Sequence, residues 1–430
     1  MSVLATVINA VAILCAMLAV AFIIYYMPRL MGWFGGRKKQ KRIFNTTLNK
    51  IAVVIPARNE SKVIGMLLDS LNGQSYPREK FSIEIIVKDA NDPTIEMAKN
   101  YGARVHIVPE QNCKGYAVDK CLKNCLTEGN KSDAYVIVDA DCVLDKYFLE
   151  EMNNALSSGA QIIQAKKLVK NWYFGDKKAN SIWSNCNGLI WTMIDELGNK
   201  HKSRLGATNM TIGTGIMFRS DVVATLGGFP YQKTLTEDIE LMFDSVVRRF
   251  TTFYYSYAKM YIEEAPSRDM TNKRRTRWMT GVVDSTRLYA EKLENLPCTK
   301  EIKRDIYYTT SLNKVYCYVG MLVVFTVLNL FGAILLGAMG YSEWVLNAIY
   351  ASAGVGLLYL SFFALTVACL VADWKNIKLP FYKKIIVLFF HPVFYMGYIP
   401  IVTKALLNRQ SQVWEVIERV TYTNENKKGE

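Results

Sequence analysis

The sequence predicts an α/β domain of alternating strands and helices, combined with an α-helical transmembrane region. Short apolar runs typical of buried strands alternate with amphipathic stretches between residues 29 and 298. Stretches without Asp, Glu, Lys or Arg flank this region, at residues 3–27, 315–342 and 344–372. Each is long enough to cross a bilayer as a helix.

Four strand patterns define the first half of the α/β domain. They lie at residues 51–57, 81–89, 103–108 and 134–142, with helical patterns near 61–71, 95–102 and 115–129. This rhythm predicts a doubly wound parallel sheet, in which ligands bind beyond the carboxyl ends of the strands.

Polar residues follow three of these strands directly, in the segments PARNE, KDAND and DADC. Any one acid there could be a turn former, but three sets at one sheet edge predict a ligand site. In DADC, an extended backbone places Asp139 and Asp141 on the same side. Such oxygen ligands suit Mg²⁺ or Mn²⁺, which commonly bridges to phosphates. Lys114, beside Gly115, is a candidate phosphate contact because no Walker-type loop is present.

Together with GTGIMF, TLTEDIEL and RRTRW, these segments resemble the membrane-embedded family 2 glycosyltransferases, which include cellulose, chitin, hyaluronan and poly-N-acetylglucosamine synthases. The resemblance extends from Val53 to Trp278. It implies a GT-A domain, a Rossmann-like nucleotide-sugar domain. It also implies inverting transfer from a UDP-sugar to a growing β-linked polysaccharide, exported through a channel of the protein's own helices.

The resemblance also implies roles for individual residues. The donor would be bound by Ala57, Glu60, Asp89, Asp92, Lys114, Asp139, Arg274, Arg277 and Trp278. Asp141, with Asp139, would hold Mg²⁺ or Mn²⁺. Asp238 would be the catalytic base and Glu237 would orient the site. The acceptor would lie against Gly213, Thr214, Gly215 and Trp278.

Within TLTEDIEL, Thr234 and Glu237 have the spacing of a capping box, which predicts that Glu237 caps the following helix. Glu240 is expected to be either exposed to solvent or placed behind the residues that contact the substrates. In RRTRW, either Arg274 or Arg275 is expected to join Arg277 in contacting the diphosphate, because guanidinium groups suit phosphate.

The predicted organisation is a transmembrane helix (1–28), a GT-A domain (29–298), an interfacial helix (299–313), transmembrane helices (314–408) and a tail (409–430). The basic run at residues 37–42 places the GT-A domain in the cytosol of a multi-pass cell-membrane protein. The last apolar segment is interrupted by His391, Pro392 and Pro400, and we expect its helix to be broken around Pro392. We expect it to be re-entrant or interfacial; otherwise the tail lies outside.

The net charge of +14 gathers beside the apolar spans, which favours lipid headgroups over nucleic acid as partner. The nine cysteines form no CxxC pair, so Cys121 and Cys125 are expected to be small core residues rather than zinc ligands. UDP-GlcNAc or UDP-Glc is the favoured donor, and accessory export subunits are left open as partners. Two other functions remain: transfer of a single sugar to a membrane lipid, and a transporter or receptor with a nucleotide-sensing domain.

Overall fold

A computed structural model describes residues 3–35, 38–127, 131–174 and 178–407. Its strands are β1 (Ile51–Pro56), β2 (Phe81–Val87), β3 (Arg104–Ile107), β4 (Ala134–Ile137), β5 (Val143–Leu144), β6 (Ile162–Val169), β7 (Ile216–Arg219) and β8 (Thr252–Ile262). They form one sheet in the order β3-β2-β1-β4-β7-β6-β8-β5. The predicted α/β fold is confirmed.

The sheet is mixed, whereas the sequence predicted a parallel one. Strand β7 runs antiparallel to both β4 and β6, and β5 runs antiparallel to β8. The other six strands run in one direction. The carboxyl ends of β1, β4, β6 and β8 therefore meet at the same edge, where the start of β7 also lies.

The helices are α1 (Val3–Gly35), α2 (Ile64–Asn72), α3 (Thr94–Asn100), α4 (Lys114–Thr127), α5 (Phe148–Leu156), α6 (Lys170–Tyr173), α7 (Ile182–Thr192), α8 (Lys200–Leu205), α9 (Ser220–Leu226), α10 (Glu237–Arg248), α11 (Arg268–Glu294), α12 (Lys300–Ala338), α13 (Trp344–Ala372), α14 (Phe381–Met396) and α15 (Tyr398–Leu407). A π-helical stretch, Met193–Asn199, joins α7 to α8.

Apolar residues cover both faces of the sheet. Along β1, Val53 and Ile55 face one core cluster and Ala52 and Val54 face a second one, and all four side chains are fully buried. This alternation follows from the period of two along a strand, and burial on both faces explains why the β1 sequence is apolar throughout.

Three helical stretches among the described residues are long and apolar enough to cross a membrane: Tyr318–Ala338, Trp344–Ala372 and Phe381–Leu407. The apolar stretch of α1, Asn9–Tyr25, is shorter. Helix α12 is continuous from Lys300 to Ala338, so the predicted interfacial helix is its first part. No Gly or Pro occurs in α12 before Gly320, so nothing in the sequence interrupts the helix there.

The helix of the last apolar segment is interrupted at a different residue from the one predicted. Helix α14 continues through Pro392 and ends at Met396, and α15 begins after Gly397. Pro400 lies in the first turn of α15, where a missing N–H group is tolerated. The predicted tail lies outside the described residues.

Helix α11 holds the end of α14 and all of α15 against the α/β domain. The Arg275 guanidinium lies 3.6 Å from the Phe394 ring centroid and 4.0 Å from that of Tyr398. Arg287, three turns further along α11, donates to the Leu406 carbonyl at 3.1 Å. The segment is therefore bound to α11 at two well-separated points.

A buried ion cluster also connects the loop between α13 and α14 to the sheet. Lys166 Nζ, on β6, lies 2.8 Å from carboxylate oxygens of both Glu196 and Asp373. Asp373 belongs to the loop between α13 and α14, and Glu196 to the π-helical stretch. The loop is thereby tied to β6, whose next residue, Lys167, lines a cavity at the edge of the sheet.

Candidate active site

A cavity of about 860 Å³ opens at the sheet edge where the carboxyl ends of β1, β4, β6 and β8 meet. Its volume lies in the range of small-molecule and cofactor sites. The predicted site residues that line it are Glu60, Lys114, Asp139, Asp141, Gly213, Thr214, Glu237, Asp238, Arg274, Arg277 and Trp278. Segments separated by more than 200 residues in sequence therefore contribute to one wall.

Asp238 lies in the first turn of α10, and backbone N–H groups hold its carboxylate. Oδ2 accepts the Gly213 N–H at 2.8 Å and Oδ1 accepts the Ile239 N–H at 2.9 Å. Burial and the neighbouring Glu237 charge raise the pKa of Asp238 to about 6. A carboxylate with this pKa is a suitable proton acceptor at neutral pH.

Lys114, the first residue of α4, links several of these groups. Its Nζ lies 2.7 Å from Asp139 Oδ1 and 3.4 Å from Glu237 Oε1, and it donates to the Gly213 carbonyl. Burial opposes the ammonium charge, but the carboxylates of Asp139 and Glu237 outweigh burial and raise the pKa of Lys114. The ammonium group therefore stays charged beside Asp238.

The predicted capping box is wrong. Helix α10 begins at Glu237, and Thr236 before it makes no side-chain cap. Glu237 is turned towards Lys114 instead. The buried Glu240 accepts the N–H groups of Lys233 and Thr234, at 2.9 and 2.6 Å. Glu240 therefore is not solvated; it fixes the turn that leads into α10.

Asp139 and Asp141 bring two carboxylates to the cavity just after β4. The Asp139 N–H donates to Thr214 Oγ1 at 3.0 Å, which fixes the backbone at Asp139 against the loop before β7. Asp141 is buried, and its carbonyl accepts from Lys170 Nζ at 3.1 Å. Carboxylate oxygens are the ligands that Mg²⁺ and Mn²⁺ prefer, so this donor set fits such an ion.

Helix α11 presents Arg274, Arg277 and Trp278 to the cavity because positions three and four apart share one helix face. Arg274 donates to the Glu263 carbonyl at 2.9 Å. Arg277 Nε has no hydrogen-bond partner among the described residues, and burial lowers its pKa. Arg275 faces α14 instead, so of the two predicted alternatives Arg274 is the one in the cavity.

A protein-family model described as glycosyltransferase like family 2 matches residues 49–281, more than half of the chain. The chain belongs to this family. The match contains every cavity-lining residue named above, from Glu60 to Trp278.

Individual relatives are more distant. A probable glycosyltransferase, YdaM, from Bacillus subtilis is 22% identical over 54% of this chain and 55% of its own length. A 4,4'-diaponeurosporenoate glycosyltransferase from Staphylococcus aureus is 25% identical over 40% of this chain and 46% of its own. The chain thus spans about half the length of the curated relatives it matches.

The fold has a counterpart among solved structures. The mannosyltransferase PcManGT from Pyrobaculum calidifontis, in complex with GDP-Man and Mn²⁺, aligns with a TM-score of 0.60 at 16% identity. The alignment covers 86% of this chain and 98% of that chain. At this identity the likeness concerns the fold, and the family 2 glycosyltransferase described here has the predicted GT-A architecture.

The sequence did not predict Glu264, a fully buried residue of the cavity wall. The Trp191 indole N–H donates to Glu264 Oε1 at 2.5 Å, and the Asn171 side chain binds the Glu264 backbone N–H and carbonyl at 2.8 and 3.0 Å. Burial raises the pKa of Glu264 to about 7. Trp191 also makes an edge contact with Trp278, at 5.6 Å between centroids. Glu264 is the second residue after β8, so the strand-end rule that identified Asp139 could have found it.

Three predicted donor-binding residues lie outside the cavity wall formed by the described residues. Ala57 is buried in the core, and its N–H donates to the Ile86 carbonyl at 2.8 Å. Asp89 is exposed on the loop after β2. Both carboxylate oxygens of Asp92 accept backbone N–H groups.

Asp92 acts as a turn former in this fold. Its carboxylate accepts the N–H groups of Asn59 and Thr94, each at 2.9 Å. Asn59 lines the cavity with a left-handed backbone, φ 57°, and Asp92 holds it there. Asp92 thus supports the wall from behind, as Asp commonly does in loops.

Of the predicted acceptor residues, all but Gly215 line the cavity. Gly213 and Thr214 line the cavity, where they hold Lys114, Asp238 and Asp139 in place. Gly215 does not line it; its φ of 68° turns the chain into β7, and it packs against Ala165 and Met260.

Gly115 determines how closely α4 approaches the loop before α10. A Cβ at this position would overlap the carbonyl oxygen of Tyr231, a backbone atom that cannot rotate away. We expect Gly115→Ala to destabilise the protein by roughly 1–3 kcal/mol and to displace Lys114. Thermal unfolding followed by circular dichroism would measure the loss.

Gly65→Ala is the matched control for this prediction. Gly65 lies in α2, and its Cβ would meet only the flexible Met97 end at 3.5 Å. We expect no loss of stability there. Equal melting temperatures for both variants would contradict the close approach inferred at Gly115.

Proposed function

We propose that this family 2 glycosyltransferase transfers a sugar, with inversion, from a UDP-sugar to a growing β-linked polysaccharide. The observation that carries the proposal is the placement of Asp238, with its raised pKa, in one cavity with two strand-end carboxylates and the Arg277 guanidinium. UDP-GlcNAc or UDP-Glc is the proposed donor. The polymer would leave through a channel formed by the apolar helices α12 to α14.

The donor diphosphate would bind where the cationic groups converge. Arg277, whose Nε is available, and Arg274 present rigid donor groups suited to phosphate oxygens. Asp141 would hold Mg²⁺ or Mn²⁺ directly, because Asp139 is already paired with Lys114. Such an ion would neutralise the charge that develops on the departing diphosphate.

Asp238 would act on the acceptor. Its carboxylate accepts the proton of the attacking hydroxyl while the sugar–phosphate bond breaks on the opposite face and UDP leaves. The Gly213 N–H fixes the carboxylate geometry, and the charge of Lys114 prevents a further rise in the pKa of Asp238. Trp278, braced by Trp191, offers a flat face to an acceptor sugar ring.

The rate should depend on the ionisation of Asp238. Its pKa is raised to about 6, and the base acts only when ionised, so activity falls as pH decreases through about 6. With donor and Mn²⁺ saturating, we expect kcat to lose about tenfold per pH unit below that value. Initial rates of UDP release measure this. A rate that stays flat down to about pH 5 would contradict the assignment.

A second candidate is transfer of one sugar to a membrane lipid. The same carboxylates would serve this reaction, and the name of the Staphylococcus aureus relative specifies a small-molecule acceptor rather than a polymer. Arg274 to Trp278, the signature found mainly in polymer-forming members, favours the polysaccharide reaction. The length of the product separates the two.

The test uses the purified protein in nanodiscs with Mn²⁺ and radiolabelled UDP-GlcNAc, UDP-Glc or UDP-GlcA, singly and in pairs. Products are sized on gels after lipid extraction. We expect long polymer from UDP-GlcNAc or UDP-Glc alone; a requirement for paired donors would indicate an alternating polymer. Only short, lipid-extractable product would support the second candidate. No UDP release with any donor would favour a nucleotide-sensing transporter or receptor.

We also propose that the GT-A domain lies in the cytosol and that the chain ends on the same side. The contacts of Arg275 and Arg287 hold residues 394–406 beside α11, so α12 and α13 would be the crossing pair after the domain. A green fluorescent protein fused after residue 430 should fluoresce in cells. A dark fusion of normal abundance, with an active periplasmic reporter at the same position, would place the tail outside.

A further inference from the structure

A second cluster of ligand-type side chains lies between β3 and α4, apart from the cavity. His106, Cys121 and Cys125 each bring a ligand atom within 4.8 Å of the other two. Their exposures are 8%, 0% and 1%. None of the three is among the described residues that line the cavity. The sequence could not predict this grouping, because His106 comes from a different element and lies 15 positions before Cys121.

The histidine has a buried carboxylate partner. Glu84, fully buried on β2, lies 2.9 Å from His106 Nε2 and 2.6 Å from an Arg104 guanidinium nitrogen. With Nε2–H donated to Glu84, Nδ1 is left as the nitrogen that can coordinate an ion. Metal-bound histidines usually have their second nitrogen fixed by a carboxylate in this way.

We propose that His106, Cys121 and Cys125 form a zinc-binding site. Two thiolates and an imidazole match the ligands that Zn²⁺ prefers, and a water or another ligand would complete a tetrahedron. The charges balance: two thiolates neutralise Zn²⁺, and Arg104 neutralises Glu84. Zinc binding would release the two thiol protons to solvent.

The distances permit such a site after a small contraction. Ligand atoms of tetrahedral zinc lie about 3.4–3.8 Å apart, so separations of up to 4.8 Å would have to shorten by about 1 Å at most. Cys121 and Cys125 are one turn apart on α4, and rotation of their side chains can supply this change. In the absence of metal, the hydrogen bond to Cys125 and burial raise the pKa of Cys121, so the Cys121 thiol stays neutral.

The alternative is that both cysteines are simply small core residues. They do pack in an apolar cluster with Leu122 and Val118, and this accounts for their burial. It does not account for an imidazole oriented by a buried carboxylate beside two thiols. A zinc ion here would fasten the edge strand β3 to α4, the helix whose first residue is Lys114.

Metal content of the full-length protein in detergent tests the proposal. The protein is incubated with one equivalent of Zn²⁺, dialysed against EDTA at low concentration and analysed by mass spectrometry of metals. We expect about one zinc per chain in the wild type and none in Cys121→Ser/Cys125→Ser. Cys186→Ser, which changes a thiol equally buried in another part of the core, should keep its zinc.

If the double variant misfolds, cobalt spectroscopy of the wild type and of a single variant still tests the site. Co²⁺ in the wild type should give an intense thiolate-to-cobalt band that weakens in His106→Gln. Asp141→Asn should leave the zinc content unchanged, so the outcome does not depend on the proposed sugar transfer. Less than a tenth of an equivalent in the wild type, or equal zinc in the double variant, would overturn the site.

Discussion

Asp238→Asn should lower the rate of sugar transfer by about 10²–10⁴-fold while leaving UDP affinity nearly unchanged. Asparagine has almost the same shape, and its side-chain oxygen can still accept the Gly213 N–H that holds Asp238 Oδ2. It cannot accept a proton from the acceptor hydroxyl. The loss should therefore appear in kcat, measured as UDP release with saturating donor and Mn²⁺.

Glu237→Gln is the neighbouring control. Glu237 contacts Lys114 at 3.4 Å and raises the pKa of Asp238, so its loss should shift the pH profile to lower pH with a smaller change in maximal rate. Titration calorimetry with UDP and Mn²⁺ verifies that each variant still binds nucleotide. An Asp238→Asn protein with wild-type kcat would show that another group is the base.

Asp141→Asn should have the second largest effect, by removing the proposed direct metal ligand. A bound divalent ion contributes several kcal/mol to stabilising a leaving diphosphate, so we expect transfer to fall roughly 10²-fold or more. UDP affinity should also lose its dependence on Mn²⁺. Both quantities are measured over a Mn²⁺ titration, by UDP release and by calorimetry.

Asp139→Asn provides a comparison within the same motif. Lys114 already neutralises Asp139 at 2.7 Å, so its replacement should weaken Mn²⁺ dependence less than that of Asp141. Equal, unchanged Mn²⁺ titrations in both variants would contradict a metal site at these carboxylates.

The strand-end rule predicted much of the site from sequence. Acids after β4 and polar residues after β1 converge because parallel strands bring their carboxyl ends to one edge. The same rule would have selected Glu264, which follows β8, but this strand was not recognised in the sequence. The rule also selected Asp92, because sequence alone does not separate an acid that binds ligand from one that binds its own backbone.

Hydropathy predicted which segments are apolar, but not how strands and helices pack against one another. Strand β7 lies antiparallel between β4 and β6, and this arrangement depends on contacts with strands that are distant in sequence. The helix break lies at Gly397 rather than at Pro392, between Phe394 and Tyr398, whose rings both contact Arg275. A local proline rule cannot predict such a contact. Arg275 does not line the cavity, whereas Arg274 does, because adjacent positions on a helix face different directions.

The structure of the protein bound to UDP and Mn²⁺ tests the central claim most directly. We predict the metal beside the Asp141 carboxylate, the diphosphate against Arg277, and Asp238 across the cavity with its carboxylate still held by the Gly213 N–H. A nucleotide bound outside this cavity, or a metal away from Asp139 and Asp141, would contradict the proposed mechanism.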